Sequence, residues 1–228
     1  FTVTISGEFH AAAAVQAMTD LIDRHSMLRT RYPDVDGVPV QVVESDSARA
    51  VPNLDIVDFD DAAVVQTLEH PFDVRTEFPI RARLFAVAPD HHVLACAVHH
   101  SAADGWSLGL LASDFALAYH ARMAGTATSW LELPLQYADY SVWAADRDVS
   151  ADLDFWRAEL ADIPSSRGLP LDRTRTQDWD FSGARTSLRF DADTTERMTD
   201  LAQRCGTGRF TVLRAALLIL LARTTEST

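Results

Sequence analysis

His99-His100-Ser101-Ala102-Ala103-Asp104-Gly105-Trp106 is the stretch on which the reading of this chain turns. It follows an unbroken apolar run, Val93-Leu94-Ala95-Cys96-Ala97-Val98, which predicts a fully buried strand. A helical pattern begins just after it. Ser107 serves as N-cap, and Leu108, Leu111, Phe115 and Ala118 share one face over residues 107–123. Two imidazoles, a carboxylate and a glycine therefore sit where a buried strand turns into a helix. Neighbouring residues on a strand point to opposite faces, so one histidine packs inward while the other faces a cleft. Asp104 is expected to fold back under the histidines, and Gly105 to supply backbone freedom that a side chain would remove.

Working outward, Ile80 to Ala88 reads as a second strand, joined to the first by Ala88-Pro89-Asp90-His91. His91 and His92 lie at the far end of the motif strand and read as turn residues. Residues 1–7 alternate apolar and polar, as a strand does. Residues 11–25 place Ala14, Val15, Met18, Leu21 and Ile22 at helical spacing. Pro33-Asp34-Val35-Asp36-Gly37 separates two extended runs and signals a hairpin. Residues 45–61 read as a surface connection, followed by a short helix over 61–69. Further helices are predicted over 152–160, 194–204 and 211–223, with a strand over 182–191. The last helix carries an apolar face from Val212 to Leu221, broad enough that one lobe alone would leave part of it uncovered. Alternating strands and helices give an α/β chain of the α+β type, with a mixed sheet flanked by helices.

The motif matches HHxxxDG at every fixed position, and several other segments keep company with it. Arg24-His25-Ser26-Met27-Leu28-Arg29-Thr30 fits RHxxLRT. Pro71-Phe72-Asp73 with Pro79-Ile80-Arg81-Ala82-Arg83-Leu84 resembles PFD…PLxRxxL. Leu133-Pro134-Leu135-Gln136-Tyr137-Ala138-Asp139-Tyr140 fits LPxQYxDY. Phe155-Trp156 stands where a YW pair is expected, and Leu169-Pro170-Leu171-Asp172-Arg173 fits LPxDR, with Thr176 in place of a proline. Together these resemble the condensation domains of nonribosomal peptide synthetases, along the whole chain and in order.

The resemblance implies a chloramphenicol-acetyltransferase-like lobe. Residues 1–228 would be the N-terminal lobe, with 177–228 the crossing segment toward a missing C-terminal lobe, so that this chain alone would lack activity. It implies amide-bond formation between two carrier-tethered thioesters, with His100 as the catalytic residue. His99, Asp104, Gly105, Arg24 and Arg29 would be structural. Arg24 or Arg29, Arg24 by preference, would pair with Asp104 and hold the motif loop. Free N–H groups at the start of the following helix would stabilise negative charge near His100. No cofactor binds the domain, because phosphopantetheine arrives on the upstream and downstream peptidyl carrier proteins. A neighbouring adenylation domain is a further implied partner. An epimerisation domain, a CoA-dependent acyltransferase and a non-catalytic recruitment domain are the alternatives. Trp106-Ser107-Leu108 after the motif, its doubled histidine and its synthetase-type flanks favour condensation.

Composition narrows the function classes. Hydrophobic residues make up 47% and charged residues 23% of the 228, as in ordinary globular proteins with a sizeable core. A net charge of -13 argues against nucleic acid and against anionic membranes. Two cysteines, Cys96 and Cys205, make no disulfide framework and fit a cytoplasmic protein. No signal peptide is expected, and the longest apolar run, residues 215–222, is too short to span a bilayer. No metal is expected either, since HExxH and paired CxxC are missing.

Overall fold

The computed structural model describes residues 1–162 and 186–225. The chain divides into two compact units, Phe1–Asp148 and Val149–Thr228.

In the first unit, β1 (Thr2–Ser6) leads into α1 (Ala11–Arg24) and a single 3-10 turn at Ser26–Arg29. Four two-residue strands follow: β2 (Thr30–Arg31), β3 (Asp34–Val35), β4 (Val38–Pro39) and β5 (Val42–Val43). β6 (Ile56–Asp58) and α2 (Asp61–Glu69) precede the two long strands, β7 (Ile80–Ala88) and β8 (His91–Val98). Then come α3 (Gly105–Met123) and α4 (Tyr137–Ala145). The main sheet has the order β1-β8-β7-β6. It is antiparallel except that β6 runs parallel to β7, so the sheet is mixed, as expected. The hairpin at residues 33–37 forms: β3 pairs with β4, and Asp36 (φ 56) and Gly37 (φ 81) both take the left-handed conformation of the turn that matches strand twist.

β8 is buried on both faces, in keeping with its unbroken apolar run, whereas β7 carries Arg81 and an exposed Arg83 on one of its faces. On one face Ala82 lies opposite Cys96 and Leu84 opposite Leu94; all four are buried. α1 brings Ala14, Met18, Leu21 and Ile22 to the same core cluster, and α3 adds Leu111. On the other face Phe85, Ala95 and Ala97 are buried, with the Phe59 ring edge-on to Phe85 at 6.2 Å. Burial pushes the Cys96 thiol up to about 11, so it packs as a small apolar group.

α1 and α3 are also clamped by charge. Arg122 donates from Nε to Asp20 Oδ2 (2.8 Å) and from Nη2 to Oδ1 (2.6 Å), and Thr128 Oγ1 donates to Oδ2 (2.6 Å). Burial pushes the Asp20 carboxyl up, but the hydrogen bonds from Arg122 and Thr128 outweigh it and hold the group below its ordinary 3.8. The carboxyl therefore ionises more readily folded than unfolded. Its stabilisation is complete above the unfolded value and is lost as pH falls through the lower folded one. Asp20→Asn is expected to cost about 1.5–3 kcal/mol at neutral pH. The gap to wild type should narrow as pH falls below the unfolded value; urea melts at pH 7 and near pH 3 check it, and a gap that widens in acid would contradict it.

Three readings change at this level. His91 and His92 are strand residues, and His92 is buried with its ring 5.4 Å from that of Phe9. Residues 45–61 are not a bare connection, because they contain β6. Residues 186–191 form no strand, and residues 182–185 lie outside the described residues, as do 169–176.

In the second unit, α5 (Ser150–Glu159), α6 (Ala192–Arg204) and α7 (Arg209–Thr225) lie within one or two residues of their expected limits. Asp191 caps α6 through Thr194 N–H at 2.7 Å. Leu217, Leu218, Ile219 and Leu220 of α7 are exposed, as its broad apolar face predicts. No single described helix is long and apolar enough to cross a membrane.

Candidate active site

The two motif histidines leave the sheet at the end of β8 and part ways there. His99 is tied in. Its N–H donates to Pro79 O at 2.9 Å, carrying the β7–β8 ladder one step further, and its O accepts from Ala102 N–H at 2.9 Å. Its Nδ1 accepts the Ser101 N–H at 3.1 Å and lies 2.9 Å from Ser101 Oγ. A ring nitrogen that takes a backbone N–H carries no proton, so neutral His99 holds its hydrogen on Nε2. The Phe72 ring meets His99 edge-on at 5.9 Å, and the Arg81 guanidinium sits 4.2 Å from the Phe72 centroid. The Pro71-Phe72-Asp73 segment and β7 thus brace the first histidine. His100 is exposed, and its ring has no hydrogen bond or ion pair with a described residue. Both histidines lie just past β8, and it is the turn that separates them: the His99 ring is held by Ser101 and the His100 ring is exposed.

Among the described residues, Asp104 pairs with no arginine. It is the N-cap of α3, one turn earlier than the cap read at Ser107. Its Oδ1 accepts Ser107 N–H (2.9 Å) and Ser107 Oγ–H (2.7 Å), while its own N–H donates to Ser107 Oγ (3.2 Å). Hydrogen bonds from the Ser107 hydroxyl and then its backbone N–H hold the Asp104 carboxyl below the usual carboxylate range. One of the N–H groups at this helix start, that of Ser107, is thus taken by Asp104 itself, and the motif carries its own anion there. Gly105 opens the helix without positive φ, and a Cβ there would meet nothing within 4 Å. The turn does not require glycine for its own geometry.

Arg24 turns instead to Asp114, ten residues further along α3 and so about 15 Å from its N-cap. Arg24 Nε donates to Asp114 Oδ2 at 3.0 Å, and His25 Nε2 lies 2.7 Å from the same oxygen. Arg24 Nη1 donates to Leu131 O (2.8 Å), and its guanidinium lies 4.7 Å from the Trp130 ring centroid. Gln136 closes the knot: its Nε2 donates to Arg24 O (2.9 Å) and its Oε1 accepts Ser26 N–H (3.2 Å). Arg29 has a main-chain role, donating from Nε to Ile22 O (3.3 Å), from Nη2 to Asp23 O (3.4 Å) and from Nη1 to Glu44 O. The RHxxLRT and LPxQ segments are thus two halves of one fastening beside the motif.

Asp114, Gln136 and Phe72 were missed as individual site residues. For Asp114 a signal existed. It falls between Leu111 and Ala118 on the apolar stripe of α3, where a carboxylate demands a cation.

Of two cavities near this end of the sheet, the smaller borders the motif. One of about 860 Å³ reaches Phe72 and Arg81, on the His99 side. The other, about 190 Å³, is lined by Ala102 and Ser107 of the motif turn together with Leu28, Leu110, Leu135 and Tyr137. No group of three or more His, Cys, Asp or Glu side chains among the described residues is placed to hold a metal ion.

Comparison with known proteins adds three findings. The chain is 35% identical over 98% of its length to an isonitrile lipopeptide synthase of Mycobacterium tuberculosis, and 32% identical over 97% to a dimodular nonribosomal peptide synthase of Bacillus subtilis. It spans 10% of the length of each. It superposes along its whole length, with a TM-score of 0.86 and 30% identity, on 53% of the X-domain solved in complex with OxyB from teicoplanin biosynthesis. The condensation domain family model matches residues 1–228, and with the strand-end histidine pair and the capped aspartate in place, the chain belongs to the condensation domain family.

Proposed function

We propose that this chain supplies the motif-bearing lobe of a domain that forms amide bonds between carrier-bound substrates in nonribosomal peptide synthesis. An aminoacyl amine on the downstream carrier attacks the acyl or peptidyl thioester on the upstream one. The N–C bond forms, the C–S bond breaks, and the proton lost from nitrogen ends on the departing thiol. The observation that carries this reading is the exposed, unattached ring of His100 on a loop fixed by its neighbours. His99 is locked to Ser101 and Phe72, and Asp104 locks the start of α3, so His100 is held by the backbone alone and its ring is free to meet the amine. Phosphopantetheine belongs to the carriers in this reading, and the cytoplasm is its setting. That the chain covers 53% of the X-domain supports a second lobe closing over the motif.

The test is to load both carriers, mix them with the complete parent protein and follow the peptidyl product by mass spectrometry. Absence of an amide product across a panel of donor and acceptor pairs would overturn it. A docking role is the second reading, favoured by likeness to a domain solved bound to OxyB. It predicts that loss of His100 leaves partner binding and output unchanged.

Gly105 offers a separate check. Nothing in the fold fills the space beside it, so Gly105→Ala should keep or slightly raise the melting temperature, as alanine favours helix. If that space admits a thioester arm, amide formation should fall at least tenfold in the same variant. Unchanged turnover would remove Gly105 from the site.

A further inference from the structure

We propose that Asp36-Gly37 is a site of spontaneous isoaspartate formation, and that the cap made with Ser107 spares the motif pair Asp104-Gly105 from the same reaction. These are the two Asp-Gly pairs of the chain. In the reaction the glycine nitrogen attacks Cγ of the aspartate. The N–C bond forms, and the carboxyl hydroxyl leaves with the amide hydrogen as water. Water then adds to one carbonyl of the five-membered imide and breaks one C–N bond. When the bond to the α-carbonyl breaks, the main chain runs through the aspartate side chain and is one carbon longer. No reagent other than water takes part. Two conditions govern the rate: Cγ must be able to reach the glycine nitrogen, and the carboxyl must be in its acid form, since its oxygen leaves as water. Glycine has no side chain to shield that nitrogen.

The two pairs meet these conditions differently. Asp36 sits at the exposed tip of the β3–β4 hairpin, and its carboxyl has no hydrogen bond or ion pair with a described residue. Its backbone is at φ 56, a left-handed conformation that strains a non-glycine residue, so opening the turn relieves it. β3 and β4 are two residues each and wholly exposed. Beside that short ladder the tip is tied by Val40 N–H to Pro33 O (2.9 Å) and by Gly37 N–H to Asp34 Oδ1 (2.7 Å). A segment with so little burial opens locally with ease, and opening frees the Gly37 nitrogen. Asp104 is also exposed, so exposure does not separate the pairs. Its carboxyl is held instead. Oδ1 accepts both the N–H (2.9 Å) and the hydroxyl (2.7 Å) of Ser107, which fixes the group over the first turn of α3 rather than leaving it free to rotate onto the Gly105 nitrogen. The same bonds hold it below the usual carboxylate range, so its acid form is rarer. Reaching the imide there means breaking two hydrogen bonds to a charged group, which slows the reaction about tenfold or more.

The experiment incubates the complete parent protein, folded and at neutral pH, and digests samples with trypsin at intervals. Cleavage after arginine puts the two pairs on separate peptides, residues 32–49 and 84–122, and electron-transfer fragmentation tells isoaspartate from aspartate in each. In wild type isoaspartate should accumulate at Asp36, and about tenfold or more slowly at Asp104. Ser107→Ala, which loses the hydroxyl but keeps the backbone N–H, should speed conversion at Asp104 about threefold to tenfold and leave Asp36 unchanged. Ser107→Thr, which keeps the hydroxyl, should stay near the wild-type rate. The proposal is overturned if Asp36 in the folded protein converts no faster than Asp104, or if Ser107→Ala leaves Asp104 as slow as in wild type. A threonine variant as fast as the alanine one would overturn the part given to the hydroxyl. Should thermal melts show Ser107→Ala unfolded, the two sites of the wild-type protein and of Ser107→Thr decide the matter.

Discussion

Replacing His100 with alanine in the complete protein should lower the rate of amide formation by about 10²–10⁴-fold, the usual contribution of a positioned acid–base group. The melting temperature should stay within about 1 °C, because an exposed ring without partners contributes little to folding. His99→Ala should behave differently. It removes the acceptor of Ser101 N–H and the edge contact with Phe72, so stability and activity fall together. The contrast between adjacent histidines is what makes the experiment specific. Single-turnover measurement with both carriers loaded reads the chemical step directly. His100→Ala turnover within about twofold of wild type would exclude a chemical role for that ring and favour the docking reading.

The parts of the fold legible in the sequence are those set by local physics. The Pro89-Asp90 turn between two apolar runs, the Asp36-Gly37 hairpin and the helix at Asp61–Glu69, with Asp60 accepting from Ala62 N–H, all follow from turn, cap and period signals within a few residues. The contrast between His99 and His100 does not come from strand alternation, because both lie beyond the end of β8; it is made by the turn, where Ser101 N–H binds the His99 ring. β6 escaped because a three-residue strand leaves almost no pattern, and what makes Ile56–Asp58 a strand is its parallel neighbour β7, more than twenty residues away in sequence. The arginine pairing failed for a related reason. Charge and motif spacing make Asp104 look in need of a cation, but its lone pairs are met within three residues by Ser107, a cap available to any Asp-x-x-Ser at a helix start. Which carboxylate Arg24 meets depends on how α1 crosses α3, which no local signal contains.

The crossing gives the second large effect. Asp114→Ala should destabilise the protein by about 3 kcal/mol. Arg24 is 14% exposed in its side chain, and Asp114, its counter-charge at 3.0 Å, is 23% exposed. Removing the carboxylate leaves a mostly buried guanidinium with only Leu131 O and the Trp130 face, and leaves His25 without its 2.7 Å partner. For a chain of this size the melting temperature should fall by roughly 6–12 °C. Arg24→Met should cost less, since it removes the charge together with the need for a partner and keeps an apolar stem against Trp130. The double variant Asp114→Leu with Arg24→Met should then recover stability relative to Asp114→Ala, a coupling that independent sites would not show. Because Gln136 is fastened to Arg24 O and Ser26 N–H in the same knot, loosening it should also disturb the wall of the cavity beside the motif turn. A melting temperature within about 2 °C of wild type would show that Arg24 finds another anion or solvent, and that the α1–α3 fastening lies instead in Asp20 and Arg122.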